Sequence, residues 1–377
     1  MEQGTTNNIR INKEAGIANR GNLYRMKRVM ARAARGESIK LAFLGGSITQ
    51  GCLASDPKLC YAARVADWWE QTFPQAEITY INAGIGGTTS QFGTARVQAD
   101  VLDTAPDAVI VEFSVNDSSA ELFLETYEGL VRRIWSSPCH PAIMLVHNVR
   151  YDDGGNAQIQ HAKVARHYDL PAVSMQSAIY PLVVGGVIEN REITADDLHP
   201  NDTGHALVAE VITYYLERIY ADIDRGEQMP GELPQPLTAN CYEQAVRFQN
   251  TYSLVWTDGF AEDHTPQEGI TDVFKNGWTA DTPGASIRFE VKGSEIAVQY
   301  RKSVAQPAPL AKVVVDGNEE QAMLLDANFT EDWGDCLSID TVLRHGENRV
   351  HQVELRLTYD VPAPEVPFYL VSVIVSE

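Results

Sequence analysis

Four short segments of the chain carry side chains that together fit nucleophilic chemistry at an acyl carbon. The segment GGSIT contains Ser47, NAGIGG ends at Gly87, and SVND contains Asn116. The segment DDLHP places Asp196 three residues before His199. A serine hydroxyl becomes nucleophilic when a histidine takes its proton, and an aspartate fixes the tautomer of that histidine. The spacing within DDLHP therefore predicts that Asp196 and His199 form the base for Ser47.

Each segment taken alone also has a purely structural interpretation. A Gly-Gly-Ser sequence after a strand is usually a turn, a glycine-rich loop is usually a tight connection to a helix, and Asn116 can cap a helix. A lone His199 is usually a surface or capping residue. NAGIGG resembles a phosphate-binding loop only faintly, since it lacks GKS/T and a full GxGxxG pattern. Ser47 does not lie in the nucleophile elbow of an α/β-hydrolase, because Thr49 stands where GxSxG requires glycine.

The strands predicted around these segments bring them to one edge of a sheet. Five short apolar runs bounded by turn residues have the composition of parallel strands covered on both faces. They cover residues 40–46, 77–84, 107–114, 142–149 and 170–175. Helical patterns alternate with them at residues 61–73, 126–135 and 206–220, the last capped by Asn201 or Asp202. This alternation predicts a doubly wound α/β sheet over residues 1–225, with ligands at the carboxyl ends of its strands.

A linker and a second, smaller domain are predicted after the α/β part. Residues 222–240 contain three prolines and two glycines, and we place the linker at 226–240. From residue 241 to residue 377 the apolar pattern has a period of two, as in residues 286–301, 312–325, 351–359 and 369–376. Lys292-Gly293 and Asp316-Gly317 stand where hairpin turns are expected. The pattern predicts an all-β jelly roll or sandwich.

Taken together and in this order, the four segments resemble the characteristic blocks of the SGNH (GDSL-like) hydrolase superfamily, across residues 38–222. The resemblance implies a flavodoxin-like α/β fold and a serine esterase. It implies that Ser47 is the nucleophile, His199 the general base and acid, and Asp196 the carboxylate beside it. The backbone N–H groups of Ser47 and Gly87 and the side chain of Asn116 would form the oxyanion hole. This chemistry requires no cofactor and no metal.

Two positions depart from the family pattern. Gly46 replaces the aspartate of the GDS sequence, which removes a side chain that organises the loop but no member of the triad. Ser114 replaces the first glycine of the third block, and we expect it to narrow the pocket. Neither departure predicts a loss of activity, although both weaken the match to the better-known lipase branches of the superfamily.

The order of the two domains narrows the resemblance. An SGNH domain followed by a β-sandwich is similar to carbohydrate esterase family seventeen, whose members are acetyl-mannan esterases with a module like carbohydrate-binding module family thirty-five. This implies removal of O-acetyl groups from acetylated manno-oligosaccharides. Trp333, in the polar segment NFTEDWGDCLS, is the predicted sugar-stacking residue, although packing on the sandwich core fits its position equally well. We interpret Trp256 and Trp278 as core or turn residues.

Composition limits the partners of the protein. The net charge of −21 disfavours nucleic acid and anionic membranes, but it does not penalise a neutral sugar. We find no signal-peptide pattern and no apolar run long enough to cross a membrane. Five scattered cysteines without a CxxC pair are typical of reduced thiols, so we expect a cytoplasmic protein. No metal-ligand spacing joins the histidines, which we interpret as ordinary surface or core residues: His140, His147, His161 and His167.

Two other functions remain open at this stage. The chain would be a general short-chain lipase or arylesterase if the sandwich served only to form a homo-oligomer. It would be a glycan-binding protein if the hydrolase domain were vestigial. The complete set of Ser47, Asn116, Asp196 and His199 counts against this last function, because a vestigial domain has no need of all four.

Overall fold

The computed structural model describes residues 9–358 and 364–377. These residues form two compact units. The first comprises the described part of Met1–Gly93 together with Val97–Asn240, and the second comprises Thr94–Arg96 and Cys241–Glu377. The first eight residues of the predicted catalytic domain lie outside the described residues, as does Tyr359, the predicted end of a strand.

The first unit is built on a six-stranded sheet, counted over the described residues, in the order β1-β6-β5-β4-β2-β3. Its strands are Ile17–Asn19 (β1), Ile39–Gly45 (β2), Ile78–Gly84 (β3), Ala108–Glu112 (β4), Ala142–His147 (β5) and Ala172–Ser174 (β6). Strands β2 to β6 are parallel, and β4 and β5 are buried along their whole length. The predicted doubly wound parallel sheet is therefore confirmed. The short antiparallel edge strand β1 has no clear sequence pattern and was not predicted.

Strand order places the candidate segments at the switch point of this sheet. β2 lies between β3 and β4 in the sheet. The chain therefore places β3 on one side of β2 and then crosses over to place β4 on the other side. Open α/β sheets bind ligands at the carboxyl ends of strands where this reversal opens a crevice. Ser47 follows β2, Gly87 follows β3 and Asn116 follows β4, which brings all three to this crevice.

Helices cover the sheet and set the position of the DDLHP segment. They are Tyr24–Ala34 (α1), Ser47–Gln50 (α2), Tyr61–Thr72 (α3), Ser90–Asp100 (α4), Glu121–Ser136 (α5), Gln158–His167 (α6), Met175–Ala178 (α7), Tyr180–Val184 (α8), Asn190–Ile193 (α9) and Asp202–Ala221 (α10). α10 starts four residues before its predicted beginning, because the Asn201 side chain accepts hydrogen bonds from the N–H groups of Thr203 and Gly204. In the part of the chain that the structure describes, no helix combines the length and the apolar character needed to cross a membrane.

The predicted linker packs onto the first unit. The buried carboxylate of Glu128 accepts hydrogen bonds from the backbone N–H groups of Leu237 and Thr238. Arg20 pairs with Glu227 at the other end of the segment. Residues 226–240 are therefore fixed in place along this unit, although their proline and glycine content is typical of a free linker.

The second unit contains two antiparallel sheets that enclose one apolar core. Its strands are Val246–Phe248 (β7), Val255–Asp258 (β8), Ala261–Glu262 (β9), Trp278–Ala280 (β10), Ser286–Gly293 (β11), Glu295–Lys302 (β12), Leu310–Val315 (β13), Met323–Asp326 (β14), Cys336–Leu343 (β15), Arg349–Leu357 (β16) and Phe368–Ser376 (β17). One sheet has the order β15-β12-β17-β10-β9 with β7 paired to β17, and the other has the order β14-β13-β16-β11-β8. The predicted all-β domain is confirmed.

One of the two predicted hairpin turns is wrong. β11 pairs with β16 and β8, whereas β12 pairs with β15 and β17, so the chain crosses from one sheet to the other after Lys292-Gly293. Asp316 and Gly317 do begin the connection between paired strands β13 and β14, and both have positive φ. Turn residues indicate that the chain reverses, but they do not indicate whether the next strand joins the same sheet.

Candidate active site

The structure brings Ser47, His199 and Asp196 into one hydrogen-bonded line. The Ser47 hydroxyl lies 2.8 Å from Nε2 of His199, and Nδ1 of His199 lies 2.6 Å from Oδ2 of Asp196. The Nδ1–H group donates to the carboxylate, which leaves the Nε2 lone pair facing the serine hydroxyl. This tautomer is the one that can take the Ser47 proton.

Close backbone packing fixes the Ser47 turn. A Cβ atom on Gly45 would lie 2.4 Å from the backbone oxygen of Glu112, and one on Gly84 would lie 2.2 Å from the backbone nitrogen of Gln50. Real Cβ atoms do not approach backbone atoms so closely, so both positions require glycine. α2 thus packs directly on the ends of the neighbouring strands, with Ser47 as its first residue and only 8% exposed.

The loop that carries Asp196 and His199 is held from within. Asp196 Oδ1 accepts hydrogen bonds from the backbone N–H groups of Leu198 and His199, at 3.0 and 2.7 Å. Asp197 has a positive φ of 66°, and its carboxylate receives two hydrogen bonds from Arg191. Sequence reasoning missed Arg191, because an exposed arginine in a polar segment gives no signal of this contact.

A second set of contacts ties the start of α10 to the segment that follows α2. The carboxylate of Asp202 accepts hydrogen bonds from the backbone N–H and the hydroxyl of Ser55, at 2.8 and 2.6 Å. His205 is buried and donates from Nε2 to the backbone oxygen of Cys52 at 3.2 Å. The N–H of Cys52 in turn donates to the backbone oxygen of Ser47. These bonds align the histidine loop with the nucleophile.

The electrostatics of Asp196 suit its contact with His199. Burial alone would raise the pKa of Asp196, but hydrogen bonds from the His199 side chain and from the N–H groups of His199 and Leu198 outweigh burial. The net effect is a pKa below the usual value of the carboxyl group. The carboxylate therefore stays ionised when His199 takes a proton, and its charge stabilises the imidazolium.

The predicted oxyanion donors border Ser47 on both sides. A Cβ atom on Gly86 would lie 3.6 Å from Cβ of Ser47, and the following residue, Gly87, has a φ of 67° that favours glycine. On the other side, a Cβ atom on Gly46 would lie 2.2 Å from Oδ1 of Asn116. Gly46 is the position that departs from the GDS sequence. Because glycine has no side chain, the Asn116 side chain can occupy the space beside it. The donor roles of Ser47, Gly87 and Asn116 stay predictions.

Ser114 does not narrow the pocket, contrary to expectation. It is fully buried, with its hydroxyl 2.9 Å from Oε1 of Glu112 and 3.1 Å from the backbone oxygen of Asn148. The hydroxyl and the backbone N–H of Ser114 both donate to Oε1 of Glu112, and burial raises the pKa of this carboxyl to about 7. The hydroxyl thus holds the loop from the protein interior and does not project into the cleft.

The candidate sugar-stacking tryptophan lies in the second unit. Trp333 is 60% exposed and meets the ring of Phe329 edge to face at 4.9 Å. Its role in substrate binding stays a prediction.

Trp278 is buried in the sandwich core as predicted, but the interpretation of Trp256 was wrong. Trp256 is 47% exposed on the edge strand β8, with the Arg288 guanidinium 5.0 Å from its ring centroid.

Comparisons with known proteins agree with this arrangement. The profile of the GDSL-like Lipase/Acylhydrolase family matches residues 43–207. A solved two-domain esterase active on acetylated mannans is 61% identical, with 98% of this chain and 99% of that chain covered and a TM-score of 0.96. A structure of a two-domain esterase active on acetylated mannans, co-crystallised with mannopentaose, is 60% identical with the same coverage and a TM-score of 0.95.

A more distant relative matches about half of the chain. Thioesterase 1/protease 1/lysophospholipase L1 of Escherichia coli (strain K12) is 25% identical over 187 residues. The match covers 47% of this chain and 83% of that protein. The two-domain organisation is therefore shared with the solved esterases and extends beyond what this enzyme matches.

The packing of Gly46 against Asn116 gives a test of the oxyanion hole. On 4-nitrophenyl acetate, Asn116→Ala should lower kcat by about 10²- to 10³-fold with little change in KM, because the donor acts chiefly in the transition state. Gly46→Ala should also lower kcat, since its Cβ displaces the Asn116 side chain. Gly231→Ala is the control, because a Cβ there has no neighbour within 4 Å. A rise in KM alone would assign Asn116 to substrate binding instead.

The buried Glu112 predicts a pH-dependent stability. Its pKa in the folded protein is about 7, above the ordinary value of about 4.3, so its stabilising effect is complete below about pH 4. That effect is lost as the pH rises through 7, at a cost of about 4 kcal/mol. Glu112→Gln, which resembles the protonated form, should therefore gain stability relative to the wild type between pH 5 and pH 8.

Thermal unfolding at several pH values checks this expectation. The exposed Glu217 provides the control, and Glu217→Gln should track the wild type at every pH. If the difference in melting temperature between Glu112→Gln and the wild type stayed constant from pH 5 to pH 8, Glu112 would be ionised over this whole range.

Proposed function

We propose that this chain, which belongs to the GDSL-like lipase/acylhydrolase family, removes O-acetyl groups from acetylated manno-oligosaccharides through an acyl-enzyme on Ser47. As a family member it is a carboxylic ester hydrolase. One observation carries the substrate assignment: identity of 60% with an esterase active on acetylated mannans, over 98% of this chain and 99% of that one. Both units of the chain take part in this match, so the proposal includes the second domain.

The geometry of the site supports a two-step mechanism. His199 Nε2 takes the Ser47 proton while Oγ attacks the acetyl carbonyl carbon, which forms a tetrahedral intermediate. The negative charge moves to the carbonyl oxygen, where the N–H groups of Ser47 and Gly87 and the Asn116 amide donate to it. A well-placed donor of this kind is worth about 3–4 kcal/mol. The bond to the sugar oxygen then breaks, and His199 gives its proton to that oxygen.

The second step returns the enzyme to its starting state. A water molecule loses a proton to His199 and attacks the acetyl group on Ser47. The bond between the acetyl carbon and Oγ breaks, His199 returns the proton to Oγ, and acetic acid leaves and ionises to acetate in solution. Asp196 stays ionised through both steps, which stabilises the imidazolium each time it forms.

We also propose that the second domain is a carbohydrate-binding module. The exposed ring of Trp333 supports this, because aromatic faces stack well on the apolar faces of sugar rings. The net charge of −21 does not oppose a neutral oligosaccharide. No disulfide joins cysteines in the described part of the chain, which supports a cytoplasmic location.

Mass spectrometry of acetylated oligosaccharides tests the proposed substrate directly. The purified chain should release acetyl groups from acetylated mannan fragments faster than from acetylated xylan or pectin fragments. Ser47→Ala, incubated in parallel, should leave the mannan fragments intact. Equal or faster cleavage of a long-chain 4-nitrophenyl ester would favour a general lipase, and intact mannan fragments would contradict the proposal.

Trp333 should matter only when a sugar is present. Trp333→Ala is expected to lower kcat/KM on acetylated manno-oligosaccharide by about fivefold or more, which corresponds to about 1 kcal/mol of stacking energy. Turnover of 4-nitrophenyl acetate should stay unchanged. Trp256→Ala removes another exposed tryptophan of the same domain and should change neither rate. Equal losses on both substrates, with a lower melting temperature, would show that Trp333 is structural.

A further inference from the structure

A buried carboxylate lies directly behind the predicted oxyanion donors and has no part in the mechanism above. Asp117 follows Asn116, and its side chain has no exposed surface. Its Oδ1 accepts a hydrogen bond from the backbone N–H of Ser90 at 2.9 Å, and its Oδ2 lies 3.0 Å from Nε2 of His161. Both carboxylate oxygens are therefore held, although an aspartate is rarely buried to this degree.

The partner at Ser90 joins two separate loops. Ser90 is the first residue of α4 and lies three residues after Gly87, at the end of the loop that follows β3. Asp117 belongs to the loop that follows β4. Since β2 lies between β3 and β4, these two loops flank Ser47 from opposite sides. The Asp117–Ser90 bond therefore links the loop of one predicted donor to the loop of the other.

His161 fixes the direction of the carboxylate. Its ring stacks on Tyr127 with a centroid distance of 3.5 Å and an interplanar angle of 5°. An ionised carboxylate can only accept, so Nε2 of His161 carries the proton that points at Asp117. Nδ1 has no hydrogen-bond partner among the described residues, and the ring is completely buried. The stacked ring and its single bond leave Asp117 one orientation.

We propose that Asp117, held by His161, is a positioning residue that fixes the spacing between the Gly87 N–H and the Asn116 amide around the tetrahedral intermediate. The inference rests on the esterase mechanism proposed above and concerns its oxyanion hole. An electrostatic donor is effective only when it already points to the place where charge develops. Asp117 supplies that arrangement without touching substrate.

Steady-state kinetics on 4-nitrophenyl acetate separate this role from general support of the fold. Asp117→Ala should lower kcat by about 10- to 100-fold while KM changes by less than about twofold, because the loss falls on the transition state. Asp117→Asn should recover most of the rate, since its amide oxygen can accept the Ser90 N–H while its NH₂ group donates to Nε2 of His161 in the other tautomer. A merely structural residue would lower the melting temperature without this split between kcat and KM.

A second pair of variants avoids a cavity at Asp117. His161→Phe keeps an aromatic ring against Tyr127 but removes the hydrogen bond to Asp117, and it should lower kcat about tenfold. His147→Phe is the matched control, since His147 is also fully buried and its ring lies 5.9 Å from that of His161. Its nitrogens have no hydrogen-bond partner in the described part of the chain, so kcat should stay within about twofold of the wild type.

A double-mutant cycle with Asn116 gives the decisive result. In the Asn116→Ala enzyme, Asp117→Ala should lower kcat by a clearly smaller factor than in the wild type, because the donor it positions is already gone. The same factor in both backgrounds, or equal losses in His161→Phe and His147→Phe, would overturn the inference. A wrong substrate proposal would give a different result: the wild type would cleave 4-nitrophenyl acetate but leave acetylated mannan fragments intact.

Discussion

The two hydrogen bonds of the His199 imidazole are the constraint on which the rest of the first unit depends. They join Ser47, at the end of a central strand, to Asp196, in a loop far along the chain. Such a line works only if the serine turn and the histidine loop keep their spacing within a few tenths of an ångström. Much of the local structure serves this spacing. Asp202 and His205 hold the start of α10 against the segment after Ser47, and Arg191 stiffens the loop itself.

Close backbone contact is the second requirement, and it explains several glycines at once. The nucleophile turn packs so tightly on neighbouring strands that Gly45 and Gly84 have no space for a side chain. A side chain at position 46 would likewise collide with another residue, in this case with the side chain of Asn116. The glycine that departs from the GDS sequence is therefore explained by the position of the Asn116 side chain, the predicted oxyanion donor. Glu112 and Ser114 support the same region from the interior, where burial raises the pKa of the glutamate to about 7.

The hydrogen-bonded set of Ser47, His199 and Asp196 could be predicted because each part of it has a local signature. Buried strands show as apolar runs, Asn201 shows as a helix cap, and the separation of Asp196 and His199 suits contact within one loop. The contacts that connect these parts have no such signature. Asp117 contacts Ser90 and His161 only because the fold brings three distant segments together. A single sequence carries no pattern that predicts these contacts. Glu112 has the same difficulty, since a charged residue at the end of an apolar run usually marks the surface.

The second unit was predicted less completely for a related reason. A period of two tells which residues face the core, but strand pairing is non-local and is not encoded in the turns. Lys292-Gly293 has hairpin composition, yet the chain changes sheets there. Trp256 was interpreted as a core or turn residue, but it lies on the edge strand β8, where it is 47% exposed and the Arg288 guanidinium lies 5.0 Å from its ring centroid.

The most direct test of the acyl-enzyme mechanism is detection of an acetyl group on Ser47 during turnover. The wild-type chain would be mixed with an acetylated substrate, quenched in acid within the first turnovers and digested for peptide mass spectrometry. We expect an acetyl group at the Ser47 hydroxyl of the peptide that contains it, and none on the same peptide from Ser47→Ala. Steady acetate release with no acetylated Ser47, or turnover that persists in Ser47→Ala, would contradict this mechanism.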